Sequence, residues 1–274
     1  MPAYPDVDTI VAALKDAADA AIVPRFRSLQ AGEIHEKGKD DPVTIADREA
    51  EILLTQSLAA LLPGSVVVGE EAVSADEGIL KRLDGDAPVW LVDPVDGTAN
   101  FVAGKETFGV MTALVVSGVP VLSVIYAPIS GWVVAAEKGA GAYADGERLP
   151  VNEDPASFES LRGAVMTHFM PETIAQQVAS RAASLGERLR GLRACAFEYP
   201  AIATGDRDFA LFSKTMPWDH APGAVLLGET GGAMRYLDGT DYTPRSQRRG
   251  LLAARSPATW DAVAGGLFPE GDPY

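Results

Sequence analysis

The chain has 274 residues, of which 47% are hydrophobic, enough for one large domain or two fused halves. The 23 basic and 38 acidic residues give a net charge of −15, which argues against broad nucleic-acid binding and against docking on anionic lipid. The single cysteine, Cys195, cannot form an internal disulfide. The first ten residues do not resemble a signal peptide, and no apolar run reaches about 18 residues. The sequence therefore predicts a cytoplasmic protein without a membrane span.

The first third of the sequence has the apolar periodicity of helices. Residues 8–22 place apolar side chains at helical spacing, and Pro24 is expected to end or kink that helix. A second helix is predicted for residues 44–61, because Thr44 and Asp47 form a capping-box-like start.

The middle third changes to the pattern of strands. Strands are predicted at 66–69, 89–92, 107–116, 119–127 and 132–136. The last three are separated by short turns, and Asp145-Gly146 is a further hairpin signal, so this part is predicted to be antiparallel.

After about residue 151 strands and helices alternate. Strands are predicted at 161–166, 189–193 and 250–254, and helices at 171–185, 197–204 and 219–229, with one more strand between the last two helices. The fold class is therefore an α+β first half, residues 1–150, followed by an α/β second half, residues 151–274.

The most informative motif is Asp93-Pro94-Val95-Asp96-Gly97-Thr98, which follows an apolar strand. Within a regular strand Asp93 and Asp96 would face opposite sides, so a loop is expected to bring the two carboxylates together. Gly97 and Thr98 then present backbone amides at the start of a helix, an arrangement that suits a phosphate group.

Two other acidic segments complete a candidate metal site. Gly69-Glu70-Glu71 follows a strand, and Trp218-Asp219-His220 precedes a helix. Mg²⁺ prefers oxygen ligands. The predicted metal positions are Glu70, Asp93, Asp96, Asp219 and the Val95 carbonyl.

Together these segments resemble the inositol monophosphatase family, within the Mg²⁺-dependent, lithium-sensitive phosphatases that include fructose-1,6-bisphosphatase. Pro42-Val43-Thr44 with Asp47, and Gly231-Gly232 after the tryptophan–aspartate pair, also match, so the resemblance covers roughly residues 37–255. It implies a layered αβαβα sandwich and a homodimer. It also implies hydrolysis of a small phosphate monoester by an activated water, with two or three Mg²⁺ ions per site.

The resemblance also implies residue roles. Glu70, Asp93 and the Val95 carbonyl would hold a first Mg²⁺, with a third, weaker ion beside Glu70. Asp93, Asp96 and Asp219 would hold the second. Glu70, Thr98 and Asp47 would be catalytic, the Thr98 hydroxyl activating the water and Asp47 orienting that hydroxyl. The substrate-binding positions would be Gly97, Thr98, Asp96, Asp219, Ala194 and Cys195.

The sequence departs from the family pattern around the substrate. Residues 193–199 read Arg-Ala-Cys-Ala-Phe-Glu-Tyr where relatives acting on inositol phosphate show Gly-Ser/Thr-Ala-Ala, and a hydroxyl-binding glutamate is replaced by Phe212 or Ser213. Inositol 1-phosphate or a related polyol or sugar phosphate is the first expectation. Histidinol phosphate, fructose 1,6-bisphosphate, and a non-catalytic metal-binding interaction protein of the same fold are the alternatives.

Several neighbouring residues have simpler interpretations. Asp47 also suits a helix cap, and Glu71 is either a solvated neighbour of Glu70 or a metal ligand. His220 is interpreted as a packing residue and Cys195 as a small, buried apolar one. Lys37 and Lys39 are interpreted as solvated charges.

Overall fold

The computed structural model of the protein describes residues 4–38, 41–152, 157–246, 248–271 and 273–274. Lys39 lies outside the described residues. Among the helices of these ranges, none combines the length and apolar character that crossing a membrane requires.

The N-terminal segment forms the two predicted helices. Helix α1 (Val7–Ala17) continues through a π-helical turn (Ala18–Ile22) into a 3₁₀ turn that contains Pro24. A ribbon of β1 (Ile34–Gly38) and β2 (Asp41–Thr44) then leads into α2 (Ile45–Leu61). The capping box predicted at the start of α2 is present.

A seven-stranded sheet occupies the middle of the chain, in the order β3-β4-β5-β6-β7-β8-β9. Its strands are β3 (Val66–Gly69), β4 (Val89–Asp96), β5 (Gly109–Val116), β6 (Val119–Ala127), β7 (Trp132–Glu137), β8 (Gly141–Ala144) and β9 (Glu147–Arg148). Only the β3–β4 pair is parallel, which confirms the predicted antiparallel hairpins. Short helix α3 (Glu70–Ala75) follows β3 directly.

Strand β4 runs past its predicted end, so the expected loop between Asp93 and Asp96 was wrong. Asp93 pairs with Met111 and Asp96 pairs with Gly109, so three steps along β4 match two steps along β5. The extra residue is a β-bulge. In a regular strand, residues three positions apart face opposite sides of the sheet. The bulge adds one residue between Asp93 and Asp96, so both carboxylates face the same side of the sheet while the strand continues.

The second sheet has five strands in the order β11-β10-β12-β14-β13. They are β10 (Arg162–Val165), β11 (Glu187–Leu189), β12 (Phe209–Phe212), β13 (Ala233–Tyr236) and β14 (Leu251–Ala254). The strand predicted at 189–193 was misplaced, since residues 190–194 are the connection from β11 to the next helix. β13 and the last helix, α8 (Pro257–Leu267), were not predicted.

Three helical layers enclose the two sheets. Helices α1 and α2 cover the outer face of the first sheet, α6 (Cys195–Ala203) and α7 (Pro217–Glu229) lie between the sheets, and α5 (Glu172–Arg181) and α8 cover the second. Helix α4 (Thr98–Val102) is a short turn after β4. This is the expected αβαβα sandwich. The division of the chain into two halves near residue 150 stays a prediction. Helix α7, from the second half, packs against strands of both sheets.

The central layer depends on close contact between α6 and α7. A Cβ atom at Gly223 of α7 would lie 2.3 Å from the Tyr199 ring of α6. Only a glycine allows these helices to approach so closely.

We expect Gly223→Ala to lower the free energy of unfolding by about 2–3 kcal/mol, because the added methyl overpacks the central layer. Gly228→Ala, in the same helix, is the matched control, since nothing lies within 4 Å of its added Cβ. That control should be neutral or stabilising by up to about 1 kcal/mol. Urea denaturation of both variants checks the difference, and equal stabilities would contradict the packing account.

Candidate active site

The acidic residues of the central motif lie at one edge of the first sheet. Parallel β3 and β4 end side by side, so Glu70 and the Asp93–Asp96 segment emerge at the same edge. Asp219, from the first turn of α7, reaches the same place. Asp93, Asp96 and Asp219 each offer a carboxylate oxygen, and these oxygens lie within 4.8 Å of one another.

This aspartate cluster suits a divalent cation. Asp93 is 2% and Asp96 is 7% exposed, and Asp219 is half-buried. Burial raises the pKa of Asp93 well above its usual range, and the Glu70 and Asp96 charges add to it; burial and Glu70 act likewise on the pKa of Asp219. Burial also raises the pKa of Asp96 to about 7, against the lowering effect of two amide hydrogen bonds. Oxygen donors that repel one another in a poorly solvated place fit Mg²⁺.

Glu70 lies beside this cluster and is engaged by a cation of the protein itself. The Lys37 Nζ lies 2.8 Å from a Glu70 carboxylate oxygen and 2.5 Å from a Glu71 oxygen. The Lys37 side chain is only 15% exposed, so its interpretation as a solvated charge was wrong. Burial lowers the pKa of Lys37, but the two glutamates outweigh it and the net pKa is raised. The β1–β2 ribbon places this lysine over α3, which is far from it in the sequence.

Glu51 of α2 is a residue that the sequence reasoning missed. Its carboxylate accepts hydrogen bonds from the backbone amides of Glu71 (2.7 Å) and Ala72 (2.8 Å), so it fixes the start of α3. Burial raises the pKa of Glu51 to about 7, although these hydrogen bonds lower it. The available signal was its position four residues after Asp47, on the same face of α2.

The backbone after Asp96 turns sharply into α4. Gly97 has a φ of +85°, and a Cβ atom there would lie 3.0 Å from the Ala194 Cβ and 3.1 Å from the Thr107 carbonyl oxygen. Glycine is therefore required for conformation and for space. The first amides of α4 follow, and a helix leaves such amides without intrahelical acceptors.

The Thr98 hydroxyl lies between two oxygens. It is 3.0 Å from Asp47 Oδ1 and 2.9 Å from the Val95 carbonyl oxygen. Asp47 Oδ2 accepts from the Thr44 amide at 2.8 Å and from its hydroxyl at 2.6 Å, so Asp47 both caps α2 and contacts Thr98. Burial raises the pKa of Asp47 to about 7, although the Thr44 hydrogen bonds lower it.

His220 is a packing residue, as predicted. Its Nδ1 lies 2.5 Å from the Tyr199 hydroxyl and its Nε2 lies 3.1 Å from the Lys214 carbonyl oxygen. Burial lowers the pKa of His220 to about 4. The ring is therefore neutral near pH 7, with both nitrogens engaged.

Ala194 and Cys195 lie where the first sheet meets α6. The Cys195 and Ala196 amides bond to the Asp96 carboxylate, the second at 2.7 Å. Cys195 is half-buried, whereas the sequence predicted a buried residue. Burial of its thiol still raises the pKa well above its usual range, which disfavours a reactive thiolate. Contact of Ala194 or Cys195 with a substrate stays a prediction.

The chain matches known phosphatases over most of its length. The model of the inositol monophosphatase family matches residues 5–266. Inositol monophosphatase 1 of Solanum lycopersicum is 32% identical over 84% of each chain. The Thermotoga maritima fructose-1,6-bisphosphatase/inositol-1-monophosphatase is 32% identical over 74% of this chain and 75% of its own. The solved structure of a Thermotoga maritima IMPase superposes with a TM-score of 0.79 at 25% identity, covering 95% of this chain and 96% of that one.

A layered sandwich with clustered carboxylates beside helix amides defines a class of metal-dependent phosphatases. The chain belongs to the inositol monophosphatase family. It is a phosphoric monoester hydrolase.

The raised pKa values of about 7 for Asp47 and Asp96 make the metal-free protein pH-sensitive. Unfolding returns these carboxyls to an ordinary pKa near 4. The folded chain therefore binds more protons between about pH 4 and pH 7, and its free energy of unfolding falls as pH rises through that window.

We expect the melting temperature in EDTA to be about 5–10 °C lower at about pH 7.5 than at about pH 5.5. Added Mg²⁺ should restore most of the difference, because it replaces the missing protons as counter-charge. Calorimetry in EDTA and in Mg²⁺ measures both effects. A melting temperature in EDTA that rises over this range would contradict the account.

Proposed function

We propose that the protein is a Mg²⁺-dependent phosphatase of a small phosphate monoester, with inositol 1-phosphate or a related polyol or sugar phosphate as the first candidate. One observation carries the proposal: carboxylate oxygens of Asp93, Asp96 and Asp219 lie within 4.8 Å of one another, directly beside the Gly97–Thr98 turn. Family membership and the phosphatase names of the relatives support it.

The residues present fit the expected ions. Asp93, Asp96 and Asp219 would hold one Mg²⁺, and Glu70, Asp93 and the Val95 carbonyl would hold another, with a third beside Glu70. Lys37 would then exchange its contact with Glu70 for one with Glu71 alone or with solvent. Bound Mg²⁺ supplies charge neutralisation and activation of a water in phosphoryl transfer.

The chain's own groups would do the remaining work. The Gly97 and Thr98 amides would bind the phosphoryl oxygens. The Thr98 Oγ1 would orient the attacking water, and Asp47 Oδ1, 3.0 Å away, would accept the proton that Thr98 passes on. The Asp47 carboxylate also accepts hydrogen bonds from Thr44, which hold its Oδ1 beside the Thr98 hydroxyl.

The substrate side favours a broad polyol or sugar specificity. Phe212 and Ser213, one of which stands where inositol-directed relatives are expected to carry an acid, are 7% and 3% exposed, and Phe212 packs on Tyr199 with ring centroids 5.4 Å apart. No carboxylate from that position would accept a ring hydroxyl, which weakens selection among polyols. The dual name of the Thermotoga maritima relative fits such breadth.

We also infer a cytoplasmic homodimer. The acidic composition and the single cysteine support a reducing, soluble environment. The dimer follows from the family resemblance. Sedimentation velocity tests it, and a monomer of about 28.8 kDa would contradict it.

We expect Asp93→Asn to lower Mg²⁺-dependent release of phosphate from inositol 1-phosphate at least about 10³-fold, because it removes a ligand shared by two ions. Its melting temperature in EDTA should be unchanged or higher, since one repelling charge is gone. Asp86→Asn, at an exposed aspartate, is the control and should keep full activity. Wild-type protein that hydrolyses no phosphate ester, yet binds Mg²⁺, would instead support the metal-binding interaction protein.

Thr98→Ala should lower kcat by about 10²–10⁴-fold with a smaller change in KM, because it removes the hydroxyl that orients the water. Thr98→Ser keeps the hydroxyl and should retain most of the activity. Steady-state kinetics at saturating Mg²⁺ separate the two variants. Equal losses in both would show that the methyl group, and not the hydroxyl, matters.

A further inference from the structure

The connection from β11 to α6, residues 190–194, lies against the proposed phosphate-binding turn. A Cβ atom built on Gly97 would be 3.0 Å from the Ala194 Cβ and 3.3 Å from the Arg193 carbonyl oxygen. The rest of any ester whose phosphate occupies the Gly97–Thr98 amides therefore has this connection as a neighbour.

The connection is held by buried polar groups. Asn100 Nδ2 donates to the Leu192 carbonyl at 3.0 Å, and the Leu192 amide donates to Glu198 Oε2 at 2.9 Å. Arg207 Nη1 donates to the Arg190 carbonyl at 3.0 Å and to Glu198 Oε1 at 2.6 Å. Glu198 is 1% and Arg207 is 8% exposed, so this pair is desolvated and well bonded. Its contacts fix the backbone of the connection.

Arg193 is the exception within this fixed segment. Its φ of +59° is a left-handed conformation that side chains other than glycine rarely adopt. Two of the other such residues, Ser117 and Asp145, precede glycines in tight hairpins. The Arg193 side chain is exposed and, among the described residues, forms no hydrogen bond or ion pair. Strained residues of this kind concentrate at functional sites.

The surrounding charge gives this arginine a role. An anionic substrate approaches a protein of net charge −15 and a cluster of carboxylates. A guanidinium binds phosphate or carboxylate through paired N–H groups.

We propose that Arg193 binds a second anionic group, a phosphate or a carboxylate, carried on the leaving-group side of the substrate. This inference rests on the proposed phosphatase function and refines its substrate preference. Esters that carry a second anionic group besides the phosphate, here called doubly anionic, are preferred over singly anionic esters, in which the phosphate is the only anionic group. Arg193 is then a specificity-determining residue, presented by a segment that the Glu198–Arg207 pair holds in place.

Two matched pairs of esters test it with purified full-length protein and Mg²⁺. Fructose 1-phosphate against fructose 1,6-bisphosphate differs by a phosphate, and glycerol 3-phosphate against 3-phosphoglycerate differs by a carboxylate. The wild-type protein should prefer the doubly anionic member of at least one pair. The pair that shows the preference identifies the anion.

Arg193→Ala and Arg193→Gly should lower kcat/KM for the preferred doubly anionic ester about tenfold or more, mainly through KM. The singly anionic partner should stay within about twofold. Arg190→Ala, an exposed arginine of the same connection, is the control and should change neither. The melting temperature of Arg193→Gly should be unchanged or higher, because glycine relieves the left-handed backbone.

Equal losses on both members of a pair, no wild-type preference in either pair, or the same loss in Arg190→Ala would overturn the assignment of Arg193. Hydrolysis of the singly anionic esters would leave the proposed function standing in those cases. Failure of the wild-type protein on these four esters, inositol 1-phosphate and p-nitrophenyl phosphate would reject the proposed function, and this inference with it.

Discussion

Mutual repulsion among buried carboxylates is the constraint on which the rest of this structure depends. One carboxylate oxygen from each of Asp93, Asp96 and Asp219 lies within 4.8 Å of the other two. Glu70 is close enough for its charge to raise the pKa of Asp93 and of Asp219. The fold offsets part of that repulsion with positive groups. Helices α2, α3, α4, α6 and α7 all begin at or beside this place, and helix amino ends favour negative charge. Lys37 adds an ammonium group that bonds to Glu70, and the charge of Lys214 acts on Asp219. The remaining repulsion is what a divalent cation would relieve.

A few local structural features bring residues that are far apart in the sequence together in one site. The β-bulge in β4 brings Asp93 and Asp96 to the same side, and Gly97 then turns the chain into α4. The central helical layer delivers the remaining pieces: α7 brings Asp219, and α6 bonds its first amides to Asp96. Because α7 packs against strands of both sheets, the stability of the sandwich and the geometry of the site are coupled.

Local signals predicted much of the fold and the chemistry. The bounds of β6 and the hairpin at Asp145-Gly146 follow from alternation and turn residues. The carboxylate motifs predicted the meeting of Asp93, Asp96 and Asp219, but not the ion pair of Glu70 with Lys37. The bulge in β4 was not predictable, because it depends on register with β5. The burial of Lys37 depends on its contact with Glu71, which is far away in the sequence. The Glu198–Arg207 pair is close in sequence, but its burial depends on the tertiary structure around it. The periodicity of apolar residues carries no information about such contacts. Each acidic motif, in contrast, is a short contiguous segment that can be recognised in the sequence.

The central claim is that the aspartate cluster holds protons when metal is absent and exchanges them for a divalent cation. Calorimetric titration of the metal-free protein with Mg²⁺ near pH 7, repeated in buffers of different ionisation enthalpy, measures that exchange directly. The account predicts net release of protons on binding, with the release reduced in an Asp96→Asn variant. Saturable Mg²⁺ binding without any proton release, or an absence of binding, would contradict it.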